Sequence, residues 1–200
     1  DARRVAEAFV SDTKLNLSPY YLRPGFAFGG SCLPKDLRAI LRYATIQAVP
    51  VPMLNGIMES NKTQIDTFVK RICKFKPQKV GMVGLAFKSN TDDMRESPYV
   101  EVAKRLIGEG VHVSIFDPSV DTENLIGANK QLINTALGHL RTLMVDKINK
   151  LNQADLIIVN HATITADQID EWIESGIQVM DLASIKGVHT ESANYHGISW

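Results

Sequence analysis

The second half of the sequence alternates short apolar runs with amphipathic stretches, and this alternation restricts the possible folds more than any other feature. Strands are predicted over 79–86, 111–116, 155–160 and 177–181, with helices between them over 99–110 and 165–175. The run Leu-Ile-Ile-Val at 156–159 has no polar side chain, which is typical of a strand buried on both faces of a parallel sheet. Strands that alternate with helices predict an α/β fold with a Rossmann-like, doubly wound parallel sheet.

The first part of the sequence is predicted to be helical. Helices are expected over 4–9, 35–48 and 53–75, each with apolar side chains at helical spacing. We therefore divide the chain near residue 60. Residues 1–60 are expected to form a central helical segment that includes a long loop, and residues 61–200 the Rossmann-like domain.

The region between the second and third predicted strands has a weaker pattern. A helix is predicted over 130–137 and a short strand over 142–145. Asp146 is expected to cap a further helix that extends to Ala154, because aspartate is a favoured N-cap residue.

The overall charge balance argues against a nucleic-acid-binding protein. The chain has 22 Lys plus Arg and 22 Asp plus Glu residues, so its formal net charge is zero and no broad basic face is expected. The hydrophobic fraction of 44% is ordinary for a globular protein, and no apolar run is long enough to cross a membrane. Two cysteines do not make a disulfide framework, which favours a reducing compartment such as the cytoplasm.

A long loop over 11–34 carries the residues of greatest chemical interest, and ordered loops of this length in compact domains are usually functional. Cys32 comes just before a helix that is predicted to start near Pro34, since proline is favoured at the first helical position. A thiol there faces unpaired backbone N–H groups and the positive end of the helix dipole, which both stabilise a thiolate. Lys35 adds a positive charge nearby.

The same loop contains side chains that suit a nucleotide or a sugar. Gly29 and Gly30 allow the backbone to approach a ligand closely. Arg23 offers a fork of N–H donors for phosphate or hydroxyl groups. Flat apolar surface is expected from four aromatic residues, Tyr20, Tyr21, Phe26 and Phe28.

The alternative interpretation makes Cys32 a small buried residue in a glycine turn, which is the usual state of a free cysteine. The glycines, the proline and the lysine around it favour the reactive interpretation, whereas Cys73 lies in a predicted helix and is interpreted as a packing residue. None of the five histidines has the context of a Cys–His pair or the spacing of a metal site: His112, His139, His161, His189 and His196. A thiolate without a histidine base suits attack on an aldehyde, giving a thiohemiacetal that a nicotinamide cofactor can oxidise.

The run at 25–36, Gly-Phe-Ala-Phe-Gly-Gly-Ser-Cys-Leu-Pro-Lys-Asp, resembles the active-cysteine motif of the UDP-glucose/GDP-mannose dehydrogenase family. The segments Lys-Leu-Asn-Leu-Ser at 14–18 and Tyr-Tyr-x-Arg-Pro at 20–24 resemble the GDP-mannose branch in particular. Further similarity lies at 84–88, 91–98, 127–130 and Trp200, so the resemblance spans essentially the whole chain.

This resemblance implies a role for each matching residue. Cys32 would be the catalytic nucleophile, and Lys35 and Arg95 would reach the NAD cofactor. The nucleotide sugar, GDP-mannose, would be held by Tyr20, Tyr21, Arg23, Phe26, Gly29 and Lys88. The family oxidises the sugar C6 alcohol to a carboxylate in two steps with two NAD per sugar. It forms a homodimer through the central helices. No metal is expected, because the sequence itself has no metal-ligand spacing.

The resemblance also indicates what the sequence lacks. The family's N-terminal NAD-binding domain has a GxGxxG turn, and the nearest pattern here, Gly81-x-x-Gly84, is incomplete. The sequence begins at Asp1 inside a predicted helix, so we expect a part of a longer protein that is inactive alone. Two alternatives stay open: a UDP-glucose or UDP-hexosamine 6-dehydrogenase, and a non-catalytic nucleotide-binding or dimerisation module.

A second polar segment follows the first predicted strand and precedes a helix, at the sheet edge where ligands bind in open α/β folds. Lys88 and Arg95 are cations suited to phosphate there. Ser97 followed by Pro98 is typical of an N-cap and first-turn proline, and so has a structural interpretation. Asp117, before Pro118, could bind a ribose hydroxyl, but Asp-Pro favours a turn.

Overall fold

The protein is described by a computed structural model over residues 2–22, 24–120, 140–189 and 191–198. The helices are α1 Ala2–Val10, α2 Leu33–Ile46, α3 Pro52–Cys73, α4 Pro98–Gly108, α5 Leu140–Leu143 and α6 Ala166–Glu174. The strands are β1 Lys79–Val83, β2 His112–Phe116, β3 Leu156–Val159, β4 Gln178–Asp181 and β5 Tyr195–Gly197. Short 3-10 helices lie at Pro19–Leu22 and Ile148–Gln153.

The described strands form one parallel sheet in the order β2-β1-β3-β4-β5. The register pairs Val80 with Val113 on one side of β1 and with Leu156 on the other. The chain moves outward from β1 to β2 and then returns to the other side of β1 for β3. The carboxyl ends of β1 and β3 are therefore the topological switch point, where ligands bind in folds of this kind.

Helices cover both faces of the sheet, as the doubly wound prediction requires. On one face Val80 and Met82 of β1 pack in a core that includes Phe68 of α3 and Leu106 of α4. On the other face Val83 packs in a core that includes Ile169 and Trp172 of α6. All four residues of β3 are buried, as their uninterrupted apolar sequence predicts. The predicted α/β fold with a helical segment and a parallel Rossmann-like sheet is confirmed.

Helix α4 has the ends that its sequence predicts. The Ser97 side chain accepts a hydrogen bond from the Tyr99 backbone N–H, and Pro98 occupies the first turn. After the last turn Gly110 adopts a left-handed φ of 82°, which glycine tolerates better than other residues. The structural interpretation of Ser97 and Pro98 is therefore confirmed.

Two predictions between β2 and β3 are wrong. Residues 142–145 do not form a strand, because Leu140–Leu143 is a single helical turn and only Met144 bridges to Ile115. Asp146 does not cap an α-helix that extends to Ala154. The Ile148–Gln153 segment is a 3-10 helix with Lys147 at its N-cap, and Asp146 pairs with Lys150 at 2.7 Å instead. The helix predicted over 130–137 lies outside the described residues.

Strand β5 is not predicted, because Tyr-His-Gly is too short and lacks a β-branched residue. It is held on β4 by pairing and by the Tyr195 hydroxyl, which donates to the Asp181 carboxylate at 2.8 Å. The predicted boundary near residue 60 falls inside α3, which continues to Cys73. The division of the chain into two domains stays a prediction.

Candidate active site around Cys32

Cys32 is the N-cap residue of α2, and Pro34 lies in the first turn of that helix. Its carbonyl accepts the first helical hydrogen bond, from the Asp36 N–H at 2.9 Å. The residue is exposed and its sulfur lies 3.8 Å from the Ser31 hydroxyl oxygen. The thiol therefore stands at the positive end of a helix of 14 residues, where a negative charge is stabilised.

Two ion pairs belong to this site, Arg95–Asp93 on the loop between β1 and α4 and Lys35–Asp36 in the first turn of α2. Arg95 donates two hydrogen bonds of 2.8 Å to the Asp93 carboxylate. This contact is the main cause that raises the pKa of Arg95, and a smaller contribution comes from the charge of Cys32. Lys35 pairs with Asp36 at 3.3 Å on the surface. The fold thus brings Arg95, which is distant in sequence, within electrostatic reach of the Cys32 sulfur.

The loop between β1 and α4 begins at 84–86, where the backbone groups form hydrogen bonds with four buried side chains. We call these four side chains the polar clamp: Ser97, Asp117, Asn160 and His161. Asn160 donates to the Gly84 carbonyl at 2.6 Å. Asp117 accepts from the N–H groups of Leu85 and Ala86 at 2.8 and 3.3 Å. Ser97 donates to the Leu85 carbonyl at 2.7 Å, and His161 bonds to the Ala86 carbonyl at 2.9 Å.

His161 is held neutral within this clamp. Burial, the largest influence, lowers its pKa, and the nearby Asp117 carboxylate only partly opposes that effect. Because the Ala86 carbonyl can only accept, the Nε2 atom of the neutral ring carries the proton. The His161 and Tyr99 rings form a T-shaped pair with centroids 5.6 Å apart, and burial raises the pKa of the Tyr99 hydroxyl to about 12. The clamp thereby fixes the start of the segment that carries Lys88 and Arg95.

The loop before Cys32 rests directly on the β1–α4 loop. A Cβ atom on Gly29 would lie 2.2 Å from the Glu96 carbonyl oxygen. A Cβ atom on Gly30, which has a φ of 88°, would lie 2.8 Å from the Phe87 ring. A Cβ atom would press on backbone at Gly29 and on the Phe87 ring at Gly30, so only glycine permits both close approaches without a shift of these neighbours. The two glycines therefore have a packing role that the sequence interpretation did not include.

The residues expected to hold a nucleotide sugar differ in how exposed their side chains are. Tyr20 and Tyr21 are exposed on the 3-10 helix, with ring centroids 5.6 Å apart. The Phe26 ring instead packs against the core, 5.0 Å from Phe68 and stacked at 5.9 Å on Tyr99. Lys88 is exposed just after the clamped peptides.

Arg23 lies outside the described residues, as do the 127–130 segment and Trp200 that contribute to the family resemblance. A cleft of about 760 Å³ lies between α1, the 3-10 helix and the loop after β4. Tyr20 lines this cleft together with Lys186, but Cys32 does not. The substrate roles of the aromatic residues, Gly29 and Lys88 stay predictions.

Asn61 was missed by the sequence analysis. Its side chain accepts from the Phe28 N–H at 2.8 Å and donates to the Phe28 carbonyl at 3.0 Å, so it anchors the loop before Cys32 to α3. The sequence feature that could have indicated this role is that Asn61 is a polar residue on the same face of the helix as the apolar Met58 and Ile65. His161 gave no comparable signal, because its partners are far away in sequence.

Three histidines have hydrogen-bond partners away from Cys32: the Ala86 carbonyl for His161, Asp170 for His189 and Gln178 for His196. Within the described ranges, no three His, Cys, Asp or Glu side chains gather to form a potential metal site. Over the same part of the chain, no helix has the length and apolar character needed to cross a membrane. The features that define the site are thus an exposed thiol, a helix N-terminus and nearby cations.

The sequence matches the UDP-glucose/GDP-mannose dehydrogenase family in two places. Residues 1–63 match its central domain and residues 81–185 match its UDP binding domain. The chain belongs to this family, which confirms the resemblance derived from the cysteine motif.

GDP-mannose 6-dehydrogenase from Pseudomonas aeruginosa is 41% identical over the whole chain, which covers 46% of that relative. UDP-glucose 6-dehydrogenase TuaD from Bacillus subtilis is 32% identical over 59% of the chain and 26% of its own length. A crystal structure of a ternary complex of GDP-mannose dehydrogenase from Pseudomonas aeruginosa superposes with a TM-score of 0.79 and 39% identity, covering 99% of this chain and 45% of that one. The chain spans less than half the length of these relatives.

Proposed function

We propose that this chain carries the catalytic cysteine and the nucleotide-sugar site of an NAD-dependent GDP-mannose 6-dehydrogenase. The observation that carries the proposal is the exposed Cys32 thiol at the N-terminus of α2, with Arg95 within electrostatic reach. Similarity to GDP-mannose 6-dehydrogenase over the full 200 residues supports the choice of substrate. The chain is thus assigned to oxidoreductases that act on a sugar C6 alcohol.

The chemistry proposed for Cys32 begins once the C6 alcohol has been oxidised to an aldehyde. The thiolate attacks the aldehyde carbon, a C–S bond forms, and the oxygen takes up a proton to give a thiohemiacetal. A hydride then leaves that carbon for the nicotinamide cofactor and the hydroxyl proton leaves for solvent, which gives a thioester. Water then cleaves the C–S bond, which releases the carboxylate product and returns the thiol.

NAD is the cofactor proposed for this reaction, and it would accept a hydride in each of the two oxidations. Two cations of this chain fit an anionic cofactor near Cys32, namely Lys35 and Arg95, and both are exposed. Each already pairs with a carboxylate, Asp36 or Asp93, so a bound diphosphate would share or replace that partner. We propose that these two side chains orient the cofactor beside the sulfur.

The proposed nucleotide-sugar contacts are Tyr20, Tyr21, Arg23, Phe26, Gly29 and Lys88. Support comes from the exposure of both tyrosines and of Lys88, since exposed aromatic rings offer faces for a base and a lysine offers charge for phosphate. For Phe26 the half-buried ring, already packed on Phe68 and Tyr99, supports a backbone or edge contact rather than stacking on a base.

Calorimetric titration of the 200-residue chain with GDP-mannose and, in parallel, with UDP-glucose tests this proposal. We expect heat with GDP-mannose, and a binding constant weaker by about tenfold in Tyr21→Ala, because loss of one aromatic contact to a base costs about 1–3 kcal/mol. Leu17→Ala is the matched control, since Leu17 is 98% exposed on the same loop. Absence of heat with both sugars contradicts the proposed site.

A UDP-glucose or UDP-hexosamine 6-dehydrogenase is the second candidate. It is supported by the match to a UDP binding domain and by the similarity to TuaD. Heat with UDP-glucose but not with GDP-mannose in the same titration would favour it. A non-catalytic module is the third candidate, and it predicts nucleotide binding together with an unreactive Cys32.

A homodimer through the helical segment is also proposed. Its support is a set of exposed apolar side chains on the first three helices: Val5, Phe9, Tyr43, Ile46 and Met53. Exposed apolar side chains that form one patch mark an interaction site. Sedimentation equilibrium would give twice the 22.2 kDa chain mass if the proposal holds and the chain mass if it does not. The free state of Cys32 and Cys73 supports a cytoplasmic location.

A further inference from the structure

One residue contacts the chain on both sides of Cys32. The Glu96 backbone carbonyl lies against Gly29, before the cysteine, where a Cβ atom would be only 2.2 Å away. The Glu96 carboxylate accepts two hydrogen bonds from the Arg38 guanidinium, after the cysteine, at 2.8 and 2.5 Å. Cys32 therefore lies between two contacts to the same residue of another loop.

The position of Glu96 is itself fixed by its neighbours. Its φ is 50°, in the left-handed region that L-residues adopt at an energetic cost. Met94 on one side is fully buried, and Ser97 on the other side belongs to the polar clamp and bonds to the Met94 carbonyl at 3.1 Å. Strained backbone persists where surrounding structure determines it, and it concentrates at functional sites.

We propose that Glu96 is a positioning residue for the Cys32 thiol. It supports the backbone before the cysteine and holds the first turns of α2 after it, and so keeps the sulfur in place relative to Arg95, the residue next to Glu96. This inference rests on the proposed function of Cys32 as the nucleophile. Arg38 acts in the same unit, because its bidentate pair with Glu96 fixes α2 in orientation as well as in distance.

The competing explanation is an ordinary surface ion pair. The Arg38 and Glu96 side chains are 51% and 38% exposed, and pairs with this exposure contribute little to the stability of a fold. A purely structural pair would therefore affect global stability slightly and the Cys32 thiol not at all. A positioning pair would alter the thiol while global stability stays nearly constant.

The test compares Glu96→Gln with Glu101→Gln. Glu101 is a matched control, because its side chain is 39% exposed and pairs at 2.7 Å with Arg105 on its own helix α4 rather than with α2. Two rates are measured: alkylation of Cys32 by iodoacetamide, resolved from Cys73 by peptide mass spectrometry, and hydrogen exchange of the backbone amides at 29–36.

We expect Glu96→Gln to increase amide exchange at 29–36 and to slow Cys32 alkylation, each by about fivefold, with a nearly unchanged thermal midpoint. Slower alkylation is expected because a looser loop moves the thiolate away from the α2 N-terminus that stabilises it. The thiol is already exposed, so the looser loop does not improve access of iodoacetamide. Arg38→Gln should give the same result, because it removes the other partner of the same ion pair and its side chain is 51% exposed. The double variant Arg38→Glu with Glu96→Arg should restore much of both rates.

Equal rates for Glu96→Gln, Glu101→Gln and the unaltered chain would overturn the inference, and so would a charge-reversed pair that fails to recover. These outcomes differ from failure of the proposed function. If the unaltered chain reacts no faster than free cysteine, Cys32 is not an activated nucleophile. Amide exchange at 29–36 would still decide whether Glu96 holds the loop.

Discussion

Replacement of Gly29 by alanine should disturb the Cys32 loop, because the space beside Gly29 is filled by backbone. A Cβ atom there would lie 2.2 Å from the Glu96 carbonyl oxygen and 2.7 Å from Pro98 Cδ. Ordinary contact begins near 3.4 Å, so the two loops must separate by 1.2 Å. The obstacle is main chain and a proline ring, which cannot rotate away as the end of a flexible side chain can.

The expected cost follows from this distance. Insertion of a methyl group into a closely packed site usually costs about 1–3 kcal/mol. Part of that cost is offset, since a glycine-to-alanine change stabilises by about 0.4–1 kcal/mol through the unfolded state. We therefore expect Gly29→Ala to lower the free energy of unfolding by about 1–2 kcal/mol. A shift of about 1 Å near a reacting group can also reduce a rate by about a hundredfold.

Urea denaturation followed by the fluorescence of Trp172, which is buried at 2% exposure in the core opposite the loop, measures the stability change. Gly25→Ala is the control on the same loop, because among the described residues no atom beyond its chain neighbours lies within 4 Å of its Cβ position. That control should be as stable as the unaltered chain or slightly more stable. Equal unfolding midpoints and equal Cys32 alkylation rates for both alanine variants would refute the packing of Gly29 on Glu96.

Three further predictions concern the stability of the fold. Ser97→Ala should lower the free energy of unfolding by about 2 kcal/mol, because it removes the N-cap of α4 and the hydroxyl that donates to the buried Leu85 carbonyl. A change below about 0.5 kcal/mol in urea denaturation would contradict this prediction. Because the folded protein lowers the pKa of His161, the free energy of unfolding should be highest above the ordinary histidine pKa of about 6.5 and should decrease as the pH falls below it. His161→Gln should flatten this part of the plot of unfolding free energy against pH. An unchanged slope would contradict the prediction. Ala48 follows α2 with a left-handed φ of 53°, so Ala48→Gly should raise the free energy of unfolding by about 0.5–1 kcal/mol in the same urea denaturation. A lower free energy of unfolding would show that the left-handed conformation of Ala48 is not strained.

The sheet and its helices were predictable because their signals are local. The apolar run at 156–159 indicates a strand buried on both faces, and Ser97 with Pro98 indicates the start of a helix. The turn expected at Asp117 forms as well, since its carboxylate accepts from the Ser119 N–H at 3.0 Å. In each case the residues that determine the structure are neighbours in sequence.

The support of the candidate site was not predictable in the same way. The Asp117 carboxylate also bonds to the N–H groups of Leu85 and Ala86, which precede it by about thirty residues. Likewise, the pair between Arg38 and Glu96 joins positions 58 residues apart. Such contacts depend on how elements pack and not on any local pattern, so one sequence alone does not reveal them.

The central claim, that Cys32 is an activated nucleophile, is tested most directly by its rate of alkylation with iodoacetamide at neutral pH. Free N-acetylcysteine is the external reference, and Cys73 is the internal one, because burial raises the pKa of its thiol. We predict that Cys32 reacts several times faster than N-acetylcysteine, that Cys73 reacts more slowly, and that GDP-mannose protects Cys32 alone. A Cys32 rate equal to that of N-acetylcysteine, unchanged by GDP-mannose, would contradict the assignment of this cysteine as the nucleophile.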